Sequence, residues 1–269
     1  MIGELFNFLL ARRPHLYETI LRWKGNYNFE KILFLNLVEN GHVVVDIGAN
    51  RGYYTLLFSH LVGGKGEVHA FEPVPTTFNC LSKTIIANAR FNNVYLTNTA
   101  VGETNCTATL YLPEMDDGQA SMKTHHFGSW ANATHITTYE CSVIKLDDYG
   151  RDKLKRRLDF VKCDIEGAEL LAFRGFYDTI TKYSPILYLE ICPHWTKEFN
   201  YKPLDLVNFL SSIGYKNFYI IADNTISSVL NPFSELTAEN LTDSVNLLCI
   251  KPDLHLTKVT ALLHREKTR

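Results

Sequence analysis

The stretch Val43-Val44-Val45-Asp46-Ile47-Gly48-Ala49-Asn50-Arg51-Gly52-Tyr53-Tyr54-Thr55 decides the fold. Its apolar opening reads as a buried strand, Asp46 leads into a tight turn that carries Gly48 and Gly52, and Tyr53 onward begins a helix. A second strand ends in Phe71-Glu72-Pro73, and Glu72 lies 20 residues past Gly52. Nucleotide-binding α/β folds place the carboxylate that grips a ribose diol at this distance. The two pieces together point to a nucleoside cofactor.

The turn itself narrows the choice. A dinucleotide fingerprint needs Gly at its first, third and sixth positions. Counted from Gly48, the third is Asn50 and the sixth is Tyr53, which speaks against a nucleotide-dependent oxidoreductase. A phosphate loop ending in Gly-Lys-Ser/Thr is absent as well. What remains is Asp-x-Gly-x-x-x-Gly. Its glycines let the backbone approach a ligand without a Cβ clash. The following helix offers free N–H groups and a positive dipole end, which suit the methionine carboxylate of S-adenosylmethionine. The plain alternative is a βα turn with no ligand; Glu72 at the correct distance favours the ligand.

At this point the sequence resembles the FkbM-type S-adenosylmethionine-dependent methyltransferases. The resemblance rests on Val45 to Thr55, on Ala70-Phe71-Glu72-Pro73-Val74-Pro75 and on Ala100-Val101-Gly102. It continues in Leu110-Tyr111-Leu112-Pro113, Leu146-Asp147-Asp148-Tyr149 and Lys162-Cys163-Asp164-Ile165-Glu166-Gly167-Ala168-Glu169. It covers about residues 42–192; Cys163 stands where Ile or Val is more usual. The first 40 and last 60 residues carry no diagnostic motif. The resemblance implies an α/β, Rossmann-like class I methyltransferase fold. Its sheet would be mostly parallel and seven-stranded, with an antiparallel final strand and helices on both faces. It also implies S-adenosylmethionine as methyl donor, S-adenosylhomocysteine as product, and a hydroxyl of a sugar, glycolipid or natural product as acceptor. A binding protein that keeps the fold without turnover is the rival from another class. On the matching motifs the cofactor-binding candidates are Asp46, Gly48, Asn50, Gly52, Tyr53, Glu72, Pro73, Ala100 and Asp164.

Bulk properties agree with one such domain. The chain has 269 residues, is 46% hydrophobic and carries a net charge of −2, enough for a sizeable core and no reason to expect nucleic acid. Cys80, Cys106, Cys141, Cys163, Cys192 and Cys249 form no Cys-x-x-Cys pair or zinc spacing and read as free thiols of a reducing, cytoplasmic compartment. The N-terminus does not read as a signal peptide, because Glu4 breaks its apolar run and Arg12-Arg13 follow it. No apolar run reaches the ~18–20 residues of a spanning helix. Asn105, Asn132 and Asn240 sit in glycosylation sequons that an Asn- and Thr-rich chain produces by chance.

Residues 1–41 read as a helical cap, 42–252 as the methyltransferase domain and 253–269 as a tail. Within 2–23 the apolar spacing is helical, with Pro14 dividing two helices, and 29–39 repeats the pattern. These helices pack on the sheet edge or cap the cofactor; for a membrane-surface role Arg12 and Arg13 give only a thin basic face. Strands are expected near 43–47, 67–71, 94–99, 159–164 and 185–191, with helices near 53–62, 75–90, 167–182 and 203–213. Lys216–Ile221 and Val245–Ile250 read as two more strands. An insert at about 101–158 interrupts the rhythm. Thr107–Leu112 and Thr138–Leu146 alternate like a hairpin around a polar stretch with His125, His126 and His135 that reads as a substrate lid. The basic run Arg151 to Arg157 reads as a solvated helix face, with an acidic-substrate patch as the alternative.

In open α/β sheets ligands bind beyond the C-terminal strand ends. Asp46, Glu72, Asp164 with Glu166, and Glu190 all fall there. Asp164 ends a central strand and should face the transferred methyl. Asp164, Glu190 and His194 are the candidates for a general base or a clamp on the acceptor hydroxyl, since clustered carboxylates raise one another's pKa. The same oxygens suit a divalent cation, but no short His/Asp motif supports one, and no metal ligand is assigned. Glu166 and Glu169 are equally explained as residues favouring a helix start, and His194 as a packing histidine. Trp130, Tyr139 and Trp195 would suit stacking on a sugar ring and are equally core residues.

Overall fold

The computed structural model describes residues 29–114, 117–126, 128–154, 156–222, 225–230, 241 and 244–267. The two helices expected within 2–23 lie outside these residues. Strand β1 (Val43–Ile47) is buried along its whole length, as its apolar run requires. It pairs in parallel with β2 (Glu67–Phe71) on one side and with β7 (Phe160–Cys163) on the other. Beyond β2 lies β3 (Val94–Thr97), and beyond β7 lies β8 (Ile186–Ile191), both parallel. Strands β11 (Val245–Ile250) and β9 (Asn217–Ala222) then add antiparallel. These are the seven expected strands. An eighth, β10 (Thr225–Leu230), hairpins onto β9 and gives the order β10-β9-β11-β8-β7-β1-β2-β3.

Strand alternation sends neighbouring residues to opposite faces. Val45, Val161, Leu187 and Leu247 pack under helices α5 (Glu169–Arg174) and α8 (Pro203–Ser212). Val44, Phe160, Tyr188 and Leu248 pack on the other face, under α1 (Phe29–Leu37), α2 (Tyr53–Val62) and α9 (Pro252–Lys267). Phe34 of α1 is the hub of this second layer, meeting Phe58, Phe160 and Tyr188 edge-on at centroid distances of 5.2, 5.5 and 4.9 Å. Edge-on aromatic pairs add stability beyond the area they bury. Helix α9 occupies the segment read from sequence as a tail. Val259 and Leu262 are buried against the sheet, and the Lys258 ammonium donates to the Leu37 carbonyl at 2.9 Å. The spaced apolar positions of 253–269 are too few to show this face without its partner.

The insert forms a second sheet, in which β6 (Ile136–Ile144) pairs antiparallel with β5 (Cys106–Pro113) and parallel with β4 (Ala100–Val101). This is the expected hairpin with a two-residue strand added. The single helix expected over 167–182 is two, α5 and α6 (Tyr177–Tyr183), broken at Gly175-Phe176. At Gly175 the Gly102 backbone passes so close that a Cβ would lie 2.0 Å from the Gly102 carbonyl oxygen. Helix continuation yields to this contact with the backbone that follows β4. The basic run is split as well, with Arg151–Lys153 ending helix α4 (Leu146–Lys153).

Gly175→Ala is therefore expected to destabilise the protein by about 1–3 kcal/mol through overpacking alone, since φ at Gly175 is an ordinary −74°. Chemical denaturation checks this; a change within about 0.5 kcal/mol, typical of an indifferent site, would show that the Gly102 backbone gives way freely.

Candidate functional site

The C-terminal ends of β1, β2 and β7 open into a cleft that communicates with solvent. Gly48 and Asn50 line it from the turn after β1, Glu72 and Pro73 from the turn after β2, and Asp164 to Glu166 from the turn after β7. The turn is tight because Gly48 and Asn50 adopt φ of 79° and 47°, a region that favours glycine and tolerates asparagine. At Gly48 a Cβ would lie 1.8 Å from the Asp164 carbonyl oxygen, so the backbones of the first and third turns touch. Glu72 joins the first and second turns: its two carboxylate oxygens accept the N–H groups of Asn50 and Val74, each at 2.9 Å. Charge-assisted bonds of this kind fix the loop that a ligand would meet.

Of the nine cofactor candidates, the structure brings Gly48, Asn50, Glu72, Pro73, Ala100 and Asp164 to the cleft lining. Asp46, Gly52 and Tyr53 stand outside it. Asp46 is buried behind the turn and accepts the Thr55 hydroxyl at 2.6 Å, a bond that ties β1 to α2. Burial pushes its carboxyl pKa up, against the opposing pull of Lys162 and the Thr55 bond. Gly52, at φ 89°, starts α2 with the Leu81 side chain 2.7 Å from where a Cβ would be. Tyr53 is 60% exposed and accepts a hydrogen bond from Lys31. Thr99, which sequence reading passed over, lines the cleft with a buried hydroxyl oxygen that has no partner among the described residues. An unsatisfied buried hydroxyl beside a glycine cradle fits a polar ligand.

The base candidates separate. Asp164 lines the cleft, with 38% of its side chain exposed. Glu190, at the end of β8, stands behind it within hydrogen-bonding reach of its carboxylate and accepts the Ser244 hydroxyl at 2.5 Å. Burial first, and Asp164 second, push the Glu190 carboxyl up to about 7. His194 is exposed near the start of the short helix α7 (Pro193–Thr196) and does not line the cleft. Among the described residues no three His, Cys, Asp or Glu are disposed to hold a metal ion.

Two further groups shape the turn after β7. Glu169, read as an ordinary helix start, is buried and accepts the N–H groups of Ile165 (3.3 Å) and Gly167 (3.1 Å) and the Tyr201 hydroxyl (3.2 Å). It pins a turn in which Glu166 and Gly167 take φ of 54° and 102°. The polar stretch read as a lid also lines the cleft, through Gly118, Ala120, Ser121 and Met122. Ser121 donates to the Glu166 carbonyl at 3.0 Å and lies 2.9 Å from the His125 ring nitrogen. His125 is 4% exposed between Trp130 and Trp195, and its pKa is lowered to about 4 by burial and by His126. Trp130 and Trp195 are thus core residues of the loop's anchor. Lys162, buried in β7 with its ammonium 3.2 Å from Asp164, also escaped notice; a lysine inside Phe160-Val161-Lys162-Cys163 was the available signal.

Burial raises the Glu169 carboxyl to about 7, over the lowering effect of its backbone bonds. Its folded-state pKa thus exceeds the unfolded value, so the native state holds the proton longer and stability falls as pH rises from about 4.5 to about 7. Glu169→Gln copies the protonated form: its carbonyl oxygen accepts both N–H groups and its amide donates to Tyr201. Melting curves across that window are expected to show a flatter pH dependence in the variant, by on the order of 1–3 kcal/mol. Parallel curves for the two proteins would mean that Glu169 is ionised throughout.

The methyltransferase FkbM domain family matches residues 46–216. "Methyltransferase 1" of Beauveria bassiana (strain ARSEF 2860) is 25% identical over 163 residues, which are 55% of this chain and 64% of that protein. The FkbM methyltransferase structure from Methylobacillus flagellatus KT superposes with a TM-score of 0.48 at 19% identity, covering 78% of this chain and 43% of that one. A SAM-dependent methyltransferase from Aquifex aeolicus gives 0.43 at 13% identity, covering 84% and 90%. The chain spans less than two thirds of the length of the first two of these relatives. A match over residues 46–216 takes in the glycine turn, the Glu72 turn and the Asp164 turn together, and the chain belongs to the methyltransferase FkbM domain family.

Proposed function

We propose that the protein is an S-adenosylmethionine-dependent O-methyltransferase acting on a hydroxyl of a sugar, glycolipid or natural product. The observation that carries this reading is the cleft in which the Gly48 turn, Glu72 and Asp164 face one ligand-sized space. When bound, S-adenosylmethionine supplies a methyl group already activated on a positive sulfur. The chain's own task is then alignment and removal of one proton.

The Gly48–Asn50 backbone lets a ligand approach closely. Glu72, held by two N–H groups, retains acceptor capacity for a ribose diol. Thr99 offers an unpaired hydroxyl to the same ligand. Asp164, exposed in the cleft, is the oxygen that meets the acceptor hydroxyl. Its proton passes to the Asp164–Glu190 pair, which behaves as one titrating unit. Loss of the proton held by Glu190 makes the pair a stronger base, which sets activity rising as pH passes upward through about 7, the value to which burial and Asp164 raise Glu190. Ser121 and Met122 line the same cleft, which supports a role for the stretch read as a lid in covering bound ligands. No helix among the described residues is long and apolar enough to cross a membrane.

Labelled S-adenosylmethionine tested against sugar, glycolipid and polyketide alcohols is expected to yield a labelled ether. Asp164→Asn should lower turnover by about 10²–10⁴-fold while S-adenosylhomocysteine affinity changes little. Glu72→Gln should instead weaken cofactor binding, since one acceptor oxygen becomes a donor facing a backbone N–H, at a cost of about 1–3 kcal/mol. Unchanged turnover in Asp164→Asn with the true acceptor would leave catalysis to proximity and orientation, and preferential binding of NAD would sink the donor assignment.

A further inference from the structure

The buried ammonium of Lys162 is used by nothing in the scheme above. A lysine with 3% exposure in the middle of a central strand is costly unless its charge is matched. Here it is matched from several sides. On β1 its register partner is Asp46, and at the end of its own strand Asp164 accepts its ammonium at 3.2 Å. From α2 the Tyr54 ring lies under the ammonium at 5.5 Å. From α1 Glu30 adds a further negative charge and binds the Tyr54 hydroxyl. From β8 the register partner is Tyr188. Burial pulls the Lys162 pKa down, but Asp164, Asp46 and Glu30 outweigh it and leave the pKa raised, so the lysine stays charged.

Alternation on β8 puts Glu190 on the same sheet face as Tyr188, and therefore on the face of Lys162. One carboxylate of the pair, Asp164, thus touches a permanent cation. The other, Glu190, accepts the neutral Ser244 hydroxyl, lies beside the Asp164 carboxylate and feels the charge of Glu169, with no cation against it among the described residues. The two carboxylates are electrostatically unequal by construction.

We propose that Lys162 is a positioning residue that holds Asp164 as the ionised member of the pair and places the single proton on Glu190. Asp164 then presents its exposed carboxylate to the acceptor, with Oδ2 fixed by Lys162. Glu190 sets the pH at which the pair can take a proton. Glu30 makes helix α1 part of this arrangement, since its charge helps keep Lys162 protonated. The inference rests on the base role proposed for Asp164 and Glu190. The charge coupling itself requires neither methyl donor nor acceptor.

The test is an NMR titration of side-chain carboxyl carbons in the ligand-free protein, with Glu190→Gln and Asp164→Asn giving the assignments. In the unaltered protein the Glu190 carbon is expected to titrate near 7. Lys162→Met removes the charge and keeps the length. Its titration midpoint should move by about one pH unit or more. Lys162→Arg should restore the original pattern. An unmoved midpoint in Lys162→Met would overturn the proposal. Should that variant not fold, the unaltered protein decides alone: the Lys162 ammonium signal should shift in step with Glu190, and a flat signal across that range contradicts the coupling. The pH–rate profile of Lys162→Met should move by the same amount, and a profile that stays put while the carbons shift would reduce Lys162 to a structural cation. Absence of turnover in the unaltered protein with every alcohol would sink the methyl-transfer reading and leave the titration result standing.

Discussion

The contact between Gly48 and the Asp164 carbonyl governs the arrangement of the site. A side chain at position 48 would have to occupy space 1.8 Å from that oxygen. With none there, the turns after two adjacent parallel strands close on each other, and everything placed by either turn faces the same cleft. Glu72 extends this to the third turn by taking N–H groups from both the β1 turn and its own. Glu169 does the same for the turn after β7. Glu72 and Glu169 are satisfied chiefly by backbone donors, so they fix loop geometry at little cost in unsatisfied polarity.

A second constraint is charge. The sheet buries Asp46, Lys162 and Glu169 at its C-terminal edge, where an apolar core would pack more simply. Their distribution is asymmetric, with one cation against Asp46, Asp164 and Glu30, and Glu190 left with a hydroxyl. In a low-dielectric setting such asymmetry shifts protonation more readily than it stabilises the fold. That argues for a use in proton handling, and helix α1 joins the site through Glu30 rather than through packing alone.

The fold was largely legible because β1, β2 and β7 announce themselves by apolar runs ending in Gly, Glu-Pro or Asp, and strands alternate with segments of helical period. The helix break at Gly175 was not legible, since the cause is a neighbour, Gly102, that lies 73 residues away in sequence. Helix α9 was hidden for the same reason: its partners Leu37 and Glu39 belong to the other end of the chain. Six of the nine cofactor candidates reach the cleft because turn residues after strands project there by geometry. Asp46 does not, although it sits in the same motif, because strand alternation turns it toward Thr55. His194 drew attention by its distance from Glu190, yet its helix begins after the strand has left the cleft. Lys162 was readable as a charge inside an apolar strand, but its partners come from β1, α1 and α2 and could not be assembled without the fold.

The crystal structure of the protein bound to S-adenosylhomocysteine tests the account most directly. The account expects the ribose diol on the Glu72 carboxylate, the adenosine portion between Thr99 and the Ser121 wall, and the sulfur beside Asp164. A ligand seated elsewhere, or one that leaves Glu72 and Asp164 untouched, would contradict it.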